Sequence, residues 1–140
     1  MSHFANCFCG AIEIEVTGPP EAMGYCHCNS CRSSSGNPFN AFSLWDPKAV
    51  RIKAGSQHVV TSQKRAMSQW KSCARCGVHL MNCHPTLHLL NVFVTTLPTL
   101  AFSPSFHANY AETVLPVRDG LPKLKDFPQE LGGSGEMIAE

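Results

Sequence analysis

Eight cysteines stand at positions 7, 9, 26, 28, 31, 73, 76 and 83. Seven fall into three short groups: Cys7-Phe8-Cys9-Gly10, Cys26-His27-Cys28-Asn29-Ser30-Cys31 and Cys73-Ala74-Arg75-Cys76-Gly77. Cys83 stands alone. A disulfide framework and metal sites compete to explain such a count. Disulfide scaffolds are short, exported and denser in cysteine. Cys-x-Cys and Cys-x-x-Cys spacings instead converge two sulfurs on one point, as a tetrahedral metal requires. The first and third groups both end in Cys-Gly, and glycine lets the backbone turn tightly around a metal. Two such knuckles brought together give Cys7, Cys9, Cys73 and Cys76, a closed four-thiolate set of the structural zinc type. The middle group can hold a second zinc by itself through Cys26, Cys28 and Cys31. Three thiolates leave one position open, the pattern of a reactive site.

An open three-thiolate zinc has chemistry of its own. It is electron-rich, which weakens it as an acidifier of water relative to a three-histidine site. It favours a soft fourth ligand such as a substrate thiol, which it would hold deprotonated. Such a site suits holding a thiolate beside a small carbonyl better than cleaving amides. A water-bound version could hydrolyse an activated C=N carbon, which keeps a hydrolase of imines as an alternative. A third reading makes both zincs structural in a non-catalytic binding module.

The elements that must position these groups read as short strands. Ile12, Ile14 and Val16 alternate with Glu13, Glu15 and Thr17, a half-buried strand over 11–17 that ends at Gly18-Pro19-Pro20. A loop with a short helical turn is expected after Ser30, and a strand over 39–45. Asp46-Pro47 offers an N-cap and a proline at the first position of a one-turn helix. Further strands are expected over 50–53, 58–62, 66–71, 78–81 and 87–94, so the domain reads as mainly β. The chain divides into a zinc-binding domain over 1–115 and a Pro/Gly-rich tail over 116–140. The Gly132-Gly133-Ser134-Gly135 stretch in that tail shows no core-forming pattern.

Composition narrows the partners. The chain has 140 residues, one domain's worth. Charged residues make up 15%, against about 25% in an average domain, which argues against disorder. A formal charge of +1 leaves no footprint for nucleic acid or an anionic membrane. Two zincs on seven thiolates would take it to about −2. No apolar run approaches the ~20 residues needed to span a bilayer. The first residues carry neither a basic region nor an apolar one. The expectation is a cytoplasmic protein with a small-molecule substrate and no membrane or nucleic-acid partner.

With the three groups in place, the chain resembles the glutathione-dependent formaldehyde-activating family, which shares its domain with centromere protein V. The matching pattern is Cys7-x-Cys9-Gly10, Cys26-His27-Cys28-x-x-Cys31-Arg32, Ser35-Gly36-x-Pro38-Phe39 and Cys73-x-x-Cys76-Gly77. Asp119-Gly120-Leu121-Pro122 and the run from Gly132 to Glu136 look like the ending of some bacterial members. The resemblance implies small antiparallel sheets folded over a structural zinc, and two zinc sites divided as above. It implies Cys26, Cys28 and Cys31 as the catalytic ligands. It implies a carbon–sulfur lyase that condenses glutathione with formaldehyde to S-hydroxymethylglutathione.

Other residues admit plain readings beside sharp ones. His27 could be a fourth ligand, but adjacent residues rarely both reach one metal, so a supporting place around it is favoured. Arg32 could pair with an anionic substrate, offset thiolate charge or pack locally. Phe39, Phe42 and Trp45 read as core, and Cys83 as a small buried hydrophobe. His79, His84, His88 and His107 are dispersed, and none is assigned to metal.

Overall fold

The alternation of Ile12, Ile14 and Val16 drives their side chains out of water, and all three are fully buried. They build a strand narrower than the periodic stretch. In the computed structural model, which describes residues 1–140, β2 covers Glu13–Thr17. It lies between β1 (Ser2–Asn6) and β5 (Val50–Ala54), antiparallel to both. Between β4 (Asn40–Trp45) and β5, the Asp46 side chain accepts from the Lys48 N–H at 2.9 Å. It caps the single 3-10 turn Pro47–Ala49 that the Asp-Pro pair predicts.

The chain forms two compact units. Unit 1 comprises residues 1–21 and 43–102. It holds the three-stranded sheet and an antiparallel meander of β6 (Val59–Arg65), β7 (Ser68–Cys73), β8 (His79–His84) and β9 (Leu89–Phe93). Its core gathers Ile12, Ile14 and Val16 with Trp45, Leu80, Met81, Val92 and Leu97. Two cysteines, Cys7 and Cys73, belong to this apolar cluster. Buried polar groups are answered: the Trp45 indole N–H donates to Ser43 Oγ at 2.8 Å, and Ser43 Oγ donates to the Val92 carbonyl at 2.6 Å.

Unit 2 comprises residues 22–42 and 103–140. It holds β3 (Ala22–Cys26), the short helix α1 (Asn29–Ser35) and three two-residue strands: β10 (His107–Ala108), β11 (Lys123–Leu124) and β12 (Met137–Ile138). β10 runs parallel to both β3 and β11, and β12 closes the edge antiparallel to β11. The glycine-rich stretch near the C-terminus is held in place. Asp126 Oδ1 accepts from both the backbone N–H and the hydroxyl of Ser134, at 3.0 and 2.8 Å. No helix is long and apolar enough to cross a membrane.

Strand existence follows the sequence pattern where β-branched and apolar residues alternate. β1, β3, β10, β11 and β12 lie outside that pattern. β3 reads Ala-Met-Gly-Tyr-Cys, and the last three are two residues long, so neither propensity nor periodicity marks them. Tertiary pairing makes them strands.

Candidate metal centres

In unit 1, the Sγ atoms of Cys7, Cys9, Cys73 and Cys76 lie within 4.8 Å of one another. Two turns of the same design deliver them. The Cys7 N–H donates to the Ile12 carbonyl at 3.2 Å, and the Cys73 N–H to the Val78 carbonyl at 3.0 Å. Gly10 and Gly77 close the turns at φ 80° and 79°, a left-handed conformation that glycine adopts without strain. Each turn also aims a backbone N–H at a sulfur: Ile12 at Cys7 and Arg75 at Cys73, both at 3.3 Å.

Sulfur separations are 3.6 Å for Cys7–Cys9 and 3.8 Å for Cys9–Cys73. A tetrahedron with zinc–sulfur bonds of about 2.3 Å has edges of about 3.8 Å. The donor set therefore fits zinc in both chemistry and size. The environment also favours ionisation at two of the four. The Val78 N–H pulls the Cys76 thiol down to about 6. Burial opposes ionisation of Cys7, but the Ile12 N–H and the neighbouring thiols prevail and lower it.

In unit 2, Cys26, Cys28 and Cys31 form a second group within the same limit, and no other His, Cys, Asp or Glu side chain joins it. Cys26 ends β3. Cys28 is the N-cap of α1, where its sulfur accepts from the Cys31 N–H at 3.2 Å. Cys31 lies in the first turn of the helix. Asn109 donates from its amide to Cys26 Sγ at 3.3 Å, from a backbone in the left-handed region. The Cys26 and Cys31 thiols donate to Cys28, which pushes it down to about 3. The bond with Cys28 pushes Cys26 up to about 12, and those with Cys26 and then Cys28 push Cys31 higher still. A dication offsets the charge of three clustered thiolates, so this donor set also fits a thiophilic metal.

Between two of these cysteines sits His27, fully buried, and its ring is committed elsewhere. Its Nε2 lies 2.8 Å from His107 Nδ1, and its Nδ1 lies 2.8 Å from Thr113 Oγ1. His107 is also fully buried. Its Nε2 donates to Asp119 Oδ2 at 2.7 Å. Asp119 Oδ1 and Glu140 Oε2 each accept from the buried Lys123 ammonium at 2.6 Å. Burial, followed by the positive charges of neighbouring groups such as Lys123 and Arg32, holds the His27 imidazole down at about 4. Burial opposes the charge on Asp119, but the bonds from Lys123 and His107 hold its carboxyl well below the usual range. Tyr110 stands edge-on to His27 with ring centres 4.9 Å apart, and Tyr25 stacks on His107 at 4.7 Å. Both ring nitrogens of His27 are engaged, so it supplies no fourth ligand.

The sequence model of a family described as glutathione-dependent formaldehyde-activating enzyme matches residues 2–112. The chain belongs to this family. A Talaromyces marneffei protein, named provisionally as a glutathione-dependent formaldehyde-activating enzyme, is 28% identical over 76 residues. The match covers 53% of this chain and 41% of that protein. An uncharacterized lyase of Schizosaccharomyces pombe is 28% identical over 75 residues, 54% of this chain and 53% of its own length. The matched segments thus span about half of these curated relatives or less. The crystal structure of a Rhodobacter sphaeroides protein superposes with a TM-score of 0.59 at 21% identity, covering 72% of this chain and 91% of that one. That likeness shows a shared fold.

For a member of the formaldehyde-activating family, the sequence groups the cysteines as the structure does, four and three. Cys83 joins neither group and lies half-buried in β8, where burial pushes its thiol up. Sequence reading missed His107, Thr113, Asn109, Asp119, Lys123 and Glu140. His27 and His107 are 80 residues apart, and nothing local to either announces the pairing. The Asp119-Gly120-Leu121-Pro122 run was the nearest available signal.

Proposed function

We propose that this chain is a zinc-dependent carbon–sulfur lyase that joins a small thiol of the glutathione kind to an aldehyde such as formaldehyde. Cys26, Cys28 and Cys31 serve as the ligands of the reactive site, and Cys7, Cys9, Cys73 and Cys76 as those of a structural one. The observation that carries the reading is the incomplete donor set. Three sulfurs converge, no fourth protein ligand joins them, and the one adjacent imidazole is turned away. Family membership and the lyase name of one relative support the same reaction class. When bound, zinc would supply a position at which a thiol is held as thiolate.

The chain's own residues do the rest. The Cys31 N–H and the Asn109 amide hold two of the sulfurs in place by hydrogen bonds. His27 anchors the backbone between Cys26 and Cys28 from the buried side. The reaction forms one S–C bond. The thiol sulfur adds to the carbonyl carbon, the C=O π pair moves to oxygen, and the proton given up by the thiol ends on that oxygen.

The test is formation of S-hydroxymethylglutathione from glutathione and formaldehyde, followed by magnetisation exchange in NMR with zinc-loaded protein. Exchange well above the spontaneous rate, lost in Cys28→Ser, is expected. A rate no different from buffer would sink the reading. Turnover of imines in its place would move the site to the hydrolase class.

A further inference from the structure

We propose that Arg32 reads a carboxylate on the thiol substrate, so that the site selects acidic thiols over neutral ones. This rests on the thiol-binding reading above and adds to it the class of thiol. Arg32 lies in the first turns of α1, where its backbone N–H donates to the Cys28 carbonyl at 3.0 Å. Its Nε donates to the His27 carbonyl at 3.2 Å, which places the guanidinium against the backbone between Cys26 and Cys28. That single bond uses one of five N–H donors. The residue is half-buried, yet it has no carboxylate partner. Lys123 and Lys125 of the same unit are both paired with acids. Helix α1 itself carries no acidic residue, and Glu112, which bonds its start, is committed to the Asn29 N–H at 3.0 Å.

The result is a guanidinium fixed at its Nε edge, with its outer fork unmatched. That fork is the geometry that takes a carboxylate in two parallel bonds. Charge makes the matching matter. Three thiolates around a dication carry a net negative charge, and a substrate thiolate adds another. A carboxylate on the same small molecule would be repelled unless a cation met it. Arg32 is the cation anchored to the cysteine loop.

The experiment uses the full chain with cobalt(II) in both sites, and thiol binding is read from the sulfur-to-cobalt charge-transfer bands. The probes are 3-mercaptopropionate against its methyl ester, and glutathione against its diethyl ester. Wild type should bind each acid about tenfold or more tighter than its ester. Arg32→Gln should remove the preference by weakening the acids while leaving the esters within about twofold. Arg32→Lys, which keeps the charge without the fork, should fall between. Equal binding of acid and ester by wild type overturns the proposal and leaves the thiol site standing. A loss in Arg32→Gln that is the same for acids and esters also overturns it, and assigns Arg32 to offsetting thiolate charge. If no thiol perturbs the bands, the thiol-binding reading falls, and this inference with it. The wild-type comparison decides even if the glutamine variant folds poorly.

Discussion

In unit 1, Cys7 and Cys9 meet Cys73 and Cys76 across more than 60 residues of chain, on two matched turns that seat Cys7 and Cys73 in the apolar core. In unit 2, Cys26, Cys28 and Cys31 come from one stretch of six residues at a strand end and a helix start. Closing the long loop constrains much of unit 1, so a metal there is coupled to folding. A metal on the short stretch constrains little chain. The strand–helix junction is instead pinned by protein contacts: the parallel pairing of β3 with β10, the Asn109 amide and the His27–His107 chain. On the proposed reading, the same ligand atom would serve stability at one place and an exchangeable, reactive metal at the other. Loop length and what supports the loop make the difference.

The strongest way to break this comparison is to remove one sulfur from each group. Cys76→Ser should leave insoluble or unfolded protein, because structural zinc contributes roughly 10 kcal/mol or more in small modules. Soluble Cys76→Ser protein with a native melting curve and two zincs would erase the contrast. Cys28→Ser should lose at least about a hundredfold in turnover while its far-UV circular dichroism stays native. Collapse of both variants together would show that the two groups do not differ.

Chelation should separate the sites without mutation. Three ligands on a local loop release metal more readily than four drawn from two turns. Mild chelator should therefore strip one zinc and the activity first, with secondary structure lost only in a second phase. A single phase for all three signals would contradict the division.

A smaller effect sharpens the account of the short loop. His27→Asn should lower the affinity of the three-cysteine site about tenfold to a hundredfold, the range seen when a supporting partner of a ligand is lost. The four-cysteine site should be unchanged when each is titrated with cobalt(II). Equal affinity in the variant would show that the buried imidazole does not position the ligands.

The smallest expected effect is on acid stability. The Asp119 carboxyl is held low in the folded chain, so its contribution is present above the unfolded carboxylate value of about 4 and is lost as pH falls toward the folded one. Denaturant titrations of Asp119→Asn should show a shallower loss of stability below about pH 4 than wild type. Parallel curves would remove Asp119 from the titrating groups that matter.

Most of unit 1 was legible in the sequence because its signals are local. Ile12, Ile14 and Val16 announce a buried face, Asp46-Pro47 announces a cap, and each Cys-Gly turn carries its own geometry. The sulfur groupings were legible for the same reason, since thiol count and spacing leave few ways to complete a tetrahedron. Unit 2 was less so. Its strands β10, β11 and β12 are two residues each, too short to carry a period, and they exist because β3 and one another satisfy their backbone groups. The parallel pairing of β3 and β10 sets His27 against His107 across 80 residues. The chain's return through residues 119–140 brings Asp119, Lys123 and Glu140 to that pair. A hydrogen bond between distant residues leaves no mark on the order of either neighbourhood, so this part was decided only when the chain folded.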